Sequence, residues 1–208
     1  MLFETVVVGP LGVNCTILGC ELEKKGVLVD PGGDVGSIIS AVEELRLSIV
    51  AIINTHGHFD HVGGNSKIKS RIGAPLYIHK EDASMLERVA QVAGMYGMAG
   101  ENSPPADAYL EDGQLIEFGC CRLKVIHTPG HTPGGCCLYL ESEKKLISGD
   151  TLFADGVGRT DLPGGSHQQL VASIREKLFV LPDDVAVFPG HGPSTTIGYE
   201  KQHNPYLE

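Results

Sequence analysis

The segment Thr55-His56-Gly57-His58-Phe59-Asp60-His61 packs three imidazoles and one carboxylate into six consecutive residues. Neutral imidazole and carboxylate are the donors that suit zinc, iron or manganese. The segment follows Ile49–Asn54, an apolar β-branched run that reads as a strand buried on both faces. The donors therefore stand at a strand end, where α/β proteins place their sites. Glycine at 57 is expected to let the loop curl so that His56 and His58 converge. The chain holds nine histidines, so three in one such loop weigh against a chance polar surface.

Three further segments each offer one donor at the end of a predicted strand. His131 lies in His127-Thr128-Pro129-Gly130-His131-Thr132-Pro133-Gly134, Asp150 in Ser148-Gly149-Asp150-Thr151, and His191 in Pro189-Gly190-His191-Gly192. Glycine or proline beside each one aims a side chain from a rigid strand into a cleft. Singly these signals are weak, and with the first segment they make a site of seven ligands.

The elements that must position these donors alternate. Strands are expected at 3–8, 13–19, 26–30, 49–54, 75–78, 122–127, 136–140, 145–148 and 185–188. Helices are expected from an N-cap at Asp34 to about Leu47, at 62–72, 81–93 and 167–179, with a short one in the last dozen residues. Residues 94–108 and 154–166 read as loops, the first as a lid. Sheets covered by helices follow, in a single domain over residues 1–208.

The pattern resembles the metallo-β-lactamase superfamily, whose signature is HxHxDH followed by separate His, Asp and His ligands. The resemblance runs from Val29-Asp30-Pro31-Gly32 to His191 and implies a four-layer αββα sandwich. It implies that His56, His58 and His131 hold one metal, that Asp60, His61 and His191 hold a second, and that Asp150 bridges both. Asp30 matches a position that supports a ligand from behind, and His127 reads as a supporting or packing residue. His79, His167 and His203 fall outside the pattern.

Within the superfamily the chain is similar to glyoxalase II, especially its short bacterial relatives, through the 127–134 segment, Gly149–Phe153, Gly158-Arg159-Thr160-Asp161 and Phe188–Pro193. That implies a hydrolase of small thioesters of the S-lactoylglutathione type, with two divalent ions, zinc ahead of iron or manganese. Two such ions about 3.5–4 Å apart lower the pKa of a shared water from about 15.7 toward 7, and the bridging hydroxide attacks the thioester carbonyl. Asp60 is a ligand that could also take the water's proton. Arg159 is a candidate for a substrate carboxylate, with a salt bridge to Asp155 or Asp161 as the plainer role. The bridging Asp150 disfavours β-lactam hydrolysis, since antibiotic-degrading members generally lack it. The chain stops seventeen residues after His191, without the helical domain that holds glutathione in full-length glyoxalase II. The resemblance also admits an alternative, a mononuclear iron persulfide dioxygenase, which shares the Gly-Arg-Thr-Asp loop.

Bulk properties narrow the partners. A net charge of −10 and a pI near 5.3 repel nucleic acid, and no basic patch offsets them. The N-terminus lacks a signal-peptide pattern and no apolar run would span a bilayer, so a cytoplasmic location without membrane contact is expected. Oligomeric state is not legible. The six cysteines, Cys15, Cys20, Cys120, Cys121, Cys136 and Cys137, show no CxxC spacing and read as small reduced packing residues.

Overall fold

The computed structural model describes residues 1–207. Its internal contacts fall into two compact units, one of residues 1–110 with 117–122, the other of 111–116 with the described residues from 123 onward.

The first unit is built on a six-stranded sheet of β1 (Leu2–Val8), β2 (Val13–Gly19), β3 (Lys25–Val29), β4 (Ser48–Ile53), β5 (Leu76–His79) and β6 (Ala108–Leu110), in that order. The strands β1, β2 and β3 are antiparallel hairpins, whereas β3 through β6 run parallel. Parallel strands need crossovers, and helices Val35–Glu44 and Asn65–Ile72 supply two of them. Ile52 and Ile53, on opposite faces of β4, are both fully buried, as the β-branched run predicts. Ile17, Leu28, Ile38, Ile52, Ile68, Leu76, Ile78 and Leu86 form the core. Leu76→Ala would leave a void in it and cost about 2–5 kcal/mol, which urea unfolding at constant m value would read.

A second sheet and its hairpin follow, with residues 117–122 counted in the first unit: β7 (Leu115–Phe118), β8 (Cys121–His127), β9 (Cys136–Leu140), β10 (Lys145–Gly149), the hairpin β11 (Leu152–Phe153) and β12 (Gly156–Val157), then β13 (Ala186–Pro189) and β14 (Thr195–Thr196). The sheet order is β14-β13-β10-β9-β8-β7, with β10 and β13 parallel. Its core draws on Tyr139, Leu146, Leu170, Ile174, Val185, Val187 and Ile197.

Most predicted strands and helices are present with ends shifted by up to three residues, the helix expected at 81–93 being a 3-10 helix over Lys80–Arg88 before Val89–Met95, and three differences have physical causes. Asp34 occupies the N-cap of Val35–Glu44 without capping it. Its backbone is left-handed, at φ 42°, and its carboxylate accepts the Gly9 N–H at 2.8 Å. The helix expected at 167–179 is α-helical only over His167–Ser173 and continues as a π-turn over Ile174–Leu178. The expected 94–108 loop is helical at its start, since Val89–Met95 extends into it, and ends in β6.

The cysteines divide into two kinds. Cys15 and Cys137 are buried, and burial pushes both thiols up, Cys137 to about 11. Cys20, Cys120 and Cys121 instead come together, against the expectation of scattered packing residues. The Glu23 amide, with Cys120, holds the Cys20 thiol down to about 7, while burial beside the other two pushes Cys121 up to about 12. Among the described residues no helix is long and apolar enough to cross a membrane.

Candidate metal centre

In the first unit the donors follow the C-terminal end of β4, and their support comes from the neighbouring end of β3. Asp30, 1% exposed, follows β3 with a left-handed backbone at φ 50°. A non-glycine residue held there is costly, by roughly 1–3 kcal/mol, and such strain clusters at functional positions. Its carboxylate accepts the Thr55 N–H at 2.7 Å, the Thr55 hydroxyl at 2.6 Å and His61 Nδ1 at 3.0 Å. A carboxylate only accepts, so Nδ1 of His61 carries the proton and Nε2 keeps its lone pair. The same logic reaches His56. The Thr55 hydroxyl gives its proton to Asp30, so its oxygen accepts from His56 Nδ1, 3.1 Å away, and Nε2 is again the donor atom for a cation.

The rings of His56 and His61 lie 4.1 Å apart and those of His56 and His58 4.8 Å apart. Asp60 lies in the first turn of the short helix Phe59–Val62, with Oδ2 3.8 Å from His61 Nε2. Gly57 acts differently from expectation: a side chain there would meet Met85 Cβ at 2.8 Å, so it serves close packing. Asp82, fully buried, anchors this turn by accepting the Gly57 N–H at 3.0 Å. Thr55 as a hydrogen-bond link between Asp30 and His56 and Asp82 as an anchor were not foreseen. Thr55 stood inside the motif and could have been suspected; Asp82 lies in an acidic helix start that carries no such signal.

Asp30→Asn keeps the shape but puts an NH2 group where Thr55 or His61 needs an acceptor. Metal affinity is expected to fall by about 10–100-fold, measured by competition with a chromogenic chelator. Wild-type affinity would show that Asp30 serves folding alone.

In the second unit β10 and β13 lie side by side, and Gly190 N–H donates to the Gly149 carbonyl at 2.8 Å. Asp150 and His191 thus leave adjacent strand ends together. His131 sits on the 128–135 turn, pinned where the Thr128 N–H meets the Gly135 carbonyl at 2.7 Å and the Thr128 hydroxyl meets that of Thr151 at 3.0 Å. His131 Nδ1 donates to the Arg159 carbonyl at 2.7 Å, which fixes its tautomer as well.

Asp150 Oδ2 stands 3.5 Å from His131 Nε2 and 3.7 Å from His191 Nε2. These separations are long for hydrogen bonds. They suit nitrogen and oxygen ligands at about 2.0–2.2 Å from a shared cation, which stand about 3.4 Å apart in tetrahedral geometry. In each unit an imidazole with Nδ1 committed to an acceptor presents Nε2 near a carboxylate, donor chemistry that fits a divalent ion.

Arg159 lends the centre its backbone. Its guanidinium grips Asp161 through two contacts of 2.8 Å and holds that carboxyl down to about 2, the plainer of the two roles expected for it. His127 Nε2 donates to the Pro133 carbonyl at 2.9 Å, bracing the turn that carries His131. A cavity of about 220 Å³ beside Asp60 is walled by Val8, Leu11, Phe59, Val89, Ala93 and Met98. Tyr96 stacks on Phe59 at 5.3 Å.

The sequence profile of the metallo-β-lactamase superfamily matches residues 8–191. The chain belongs to the metallo-β-lactamase superfamily. Its superfamily fold is shared with solved structures over nearly its whole length. The B3 metallo-β-lactamase BLEG-1 is 38% identical and covers 99% of each chain at a TM-score of 0.92. TTHA1623 in a di-iron-bound form is 36% identical over 98% of this chain and 100% of its own, at 0.91. Among relatives, the hydroxyacylglutathione hydrolase GloC of Haemophilus influenzae is 37% identical over 100% of this chain and 98% of its own. Membership supports a metal-dependent hydrolase.

Proposed function

We propose that this superfamily member hydrolyses small thioesters of the S-lactoylglutathione type, using two divalent cations held by the two donor sets. His56, His58 and His131 would hold one cation and Asp60, His61 and His191 the other, with Asp150 serving both. Asp150 Oδ2 standing near two Nε2 atoms at 3.5 and 3.7 Å is the observation that carries the binuclear reading. Bound as a pair, such ions acidify a shared water toward pKa 7 and polarise a carbonyl oxygen.

The chain's own residues do the rest. Asp30, Thr55 and the Arg159 carbonyl take up Nδ1 of His61, His56 and His131 and so fix the orientation of each ring. Asp60 would serve as a ligand and as the acceptor of the water's proton. A thiol of pKa about 8.5 departs as thiolate, so no protonating residue is required opposite the nucleophile. The cavity beside Asp60 offers a short acyl group contact with Val8, Phe59 and Met98. The printed name of GloC supports the thioester class. Zinc is the proposed metal on the donor chemistry, and the di-iron form of TTHA1623 keeps iron as its competitor. A small-molecule substrate, no nucleic-acid or membrane partner, and a cytoplasmic setting complete the proposal.

Elemental analysis of the purified protein, paired with assays on S-lactoylglutathione, glutathione persulfide and a β-lactam, tests it. Two metals per chain with thioester turnover and no oxygen uptake is the expected result. One iron with oxygen consumed on the persulfide would establish the dioxygenase instead. β-Lactam turnover exceeding thioester turnover would align the chain with BLEG-1 and overturn the thioester assignment.

A further inference from the structure

Cys20 directly follows β2, Cys120 lies in the turn between β7 and β8, and Cys121 opens β8. One hundred residues separate the first two in sequence, yet their sulfurs stand 3.2 Å apart. All three Sγ atoms lie within 4.8 Å of one another. Alternation along a strand would send Cys120 and Cys121 to opposite faces. They escape it because one sits in the turn and the other in the strand.

The backbone makes room for this convergence. Gly119 has φ +66°, and a Cβ there would lie 2.8 Å from both Cβ and Sγ of Cys20. Any side chain at 119 would close the gap in which the sulfurs meet. On the other side, the Glu23 N–H donates to Cys20 Sγ at 3.4 Å, an amide contact that favours a sulfur bearing negative charge. Cys20 is buried, Cys121 half-buried and Cys120 exposed, so the group is rigid on one side and open to solvent on the other.

We propose that Cys20, Cys120 and Cys121 bind one soft, thiophilic cation of the Cu(I) class, at a site separate from the histidine–aspartate centre. Thiolates select Cu(I) or zinc over hard cations. The number of donors decides between them. Among the described residues the group comprises three sulfurs without imidazole or carboxylate, whereas structural zinc is almost always four-coordinate. Three sulfurs about 2.3 Å from one ion stand about 3.8–4.0 Å apart. The present envelope accommodates that once Cys20 and Cys120 separate by less than about 1 Å. Each thiol yields its proton to solvent on ligation, and no electron is transferred.

The experiment is an anaerobic titration of the reduced, metal-stripped full chain with Cu(I) against a chromogenic Cu(I) chelator. The expected result is one tightly held equivalent with thiolate-to-copper charge-transfer absorption in the ultraviolet. Cys120→Ser and Cys121→Ser should each weaken binding by about tenfold or more, the loss of a coordinating group being at least as costly as loss of its support. Cys120 is exposed on a turn, so its serine variant keeps the fold, checked by circular dichroism. Asp150→Ala should retain the equivalent, which separates this site from the proposed hydrolytic one. The proposal is overturned if the wild-type chain competes no better than the serine variants, or if the absorption band disappears with Asp150→Ala and survives Cys120→Ser.

Discussion

Asp150→Ala is expected to bind at most one cation per chain and to hydrolyse the thioester at least about a thousandfold more slowly than wild type. Two effects add. The carboxylate that stands near both His131 and His191 disappears, so each of the two proposed cations loses the anion they have in common. The second cation's contribution to charge stabilisation, several kcal/mol, goes with it, and about 4 kcal/mol corresponds to a factor of a thousand. Metal content by elemental analysis and kcat/KM on S-lactoylglutathione should fall together. Asp150 begins just beyond β10, whose hydrogen bonds to β9 and β13 do not involve its side chain, so the fold should persist. Full activity with two bound metals in this variant would end the binuclear assignment.

Gly32→Ala is the second change expected to act strongly, and it acts from outside the ligand set. A methyl group at position 32 would lie 1.7 Å from the Asp60 carbonyl oxygen and 2.9 Å from its carbonyl carbon. Neither atom is the end of a flexible side chain. The whole Phe59–Val62 turn must move, carrying Asp60 and His61 with it. Forced relocation of packed backbone costs about 3 kcal/mol or more, and the displacement falls on two proposed ligands of one cation. The metal-free protein should unfold at a visibly lower temperature than wild-type apoprotein, and the loaded protein should be short of metal. An apo melting temperature and metal content equal to wild type would show that the β3 end is not packed against that turn as described.

These two residues show how differently the sequence speaks. Asp150 was legible because its type, its neighbours Gly149 and Thr151 and its place at a strand end all point to chemistry. The importance of Gly32 was not, since a glycine after a proline reads as an ordinary turn. The space it vacates is filled by residues nearly thirty positions away.

The sequence alone determined which donors exist, that they leave strand ends, and that β4 lies at the β-branched run 49–54. Local patterns suffice there because a strand's period and a ligand's chemistry are properties of short segments. Tertiary structure decided what short segments do not contain. It turned Thr55 into a link between Asp30 and His56, made Asp82 the anchor of the ligand turn, and made the Arg159 carbonyl the partner of His131. It also drew Cys20 and Cys120 together across one hundred residues. Each of these is a contact between chain segments with no pattern in common, and its energy depends on distances that only packing fixes.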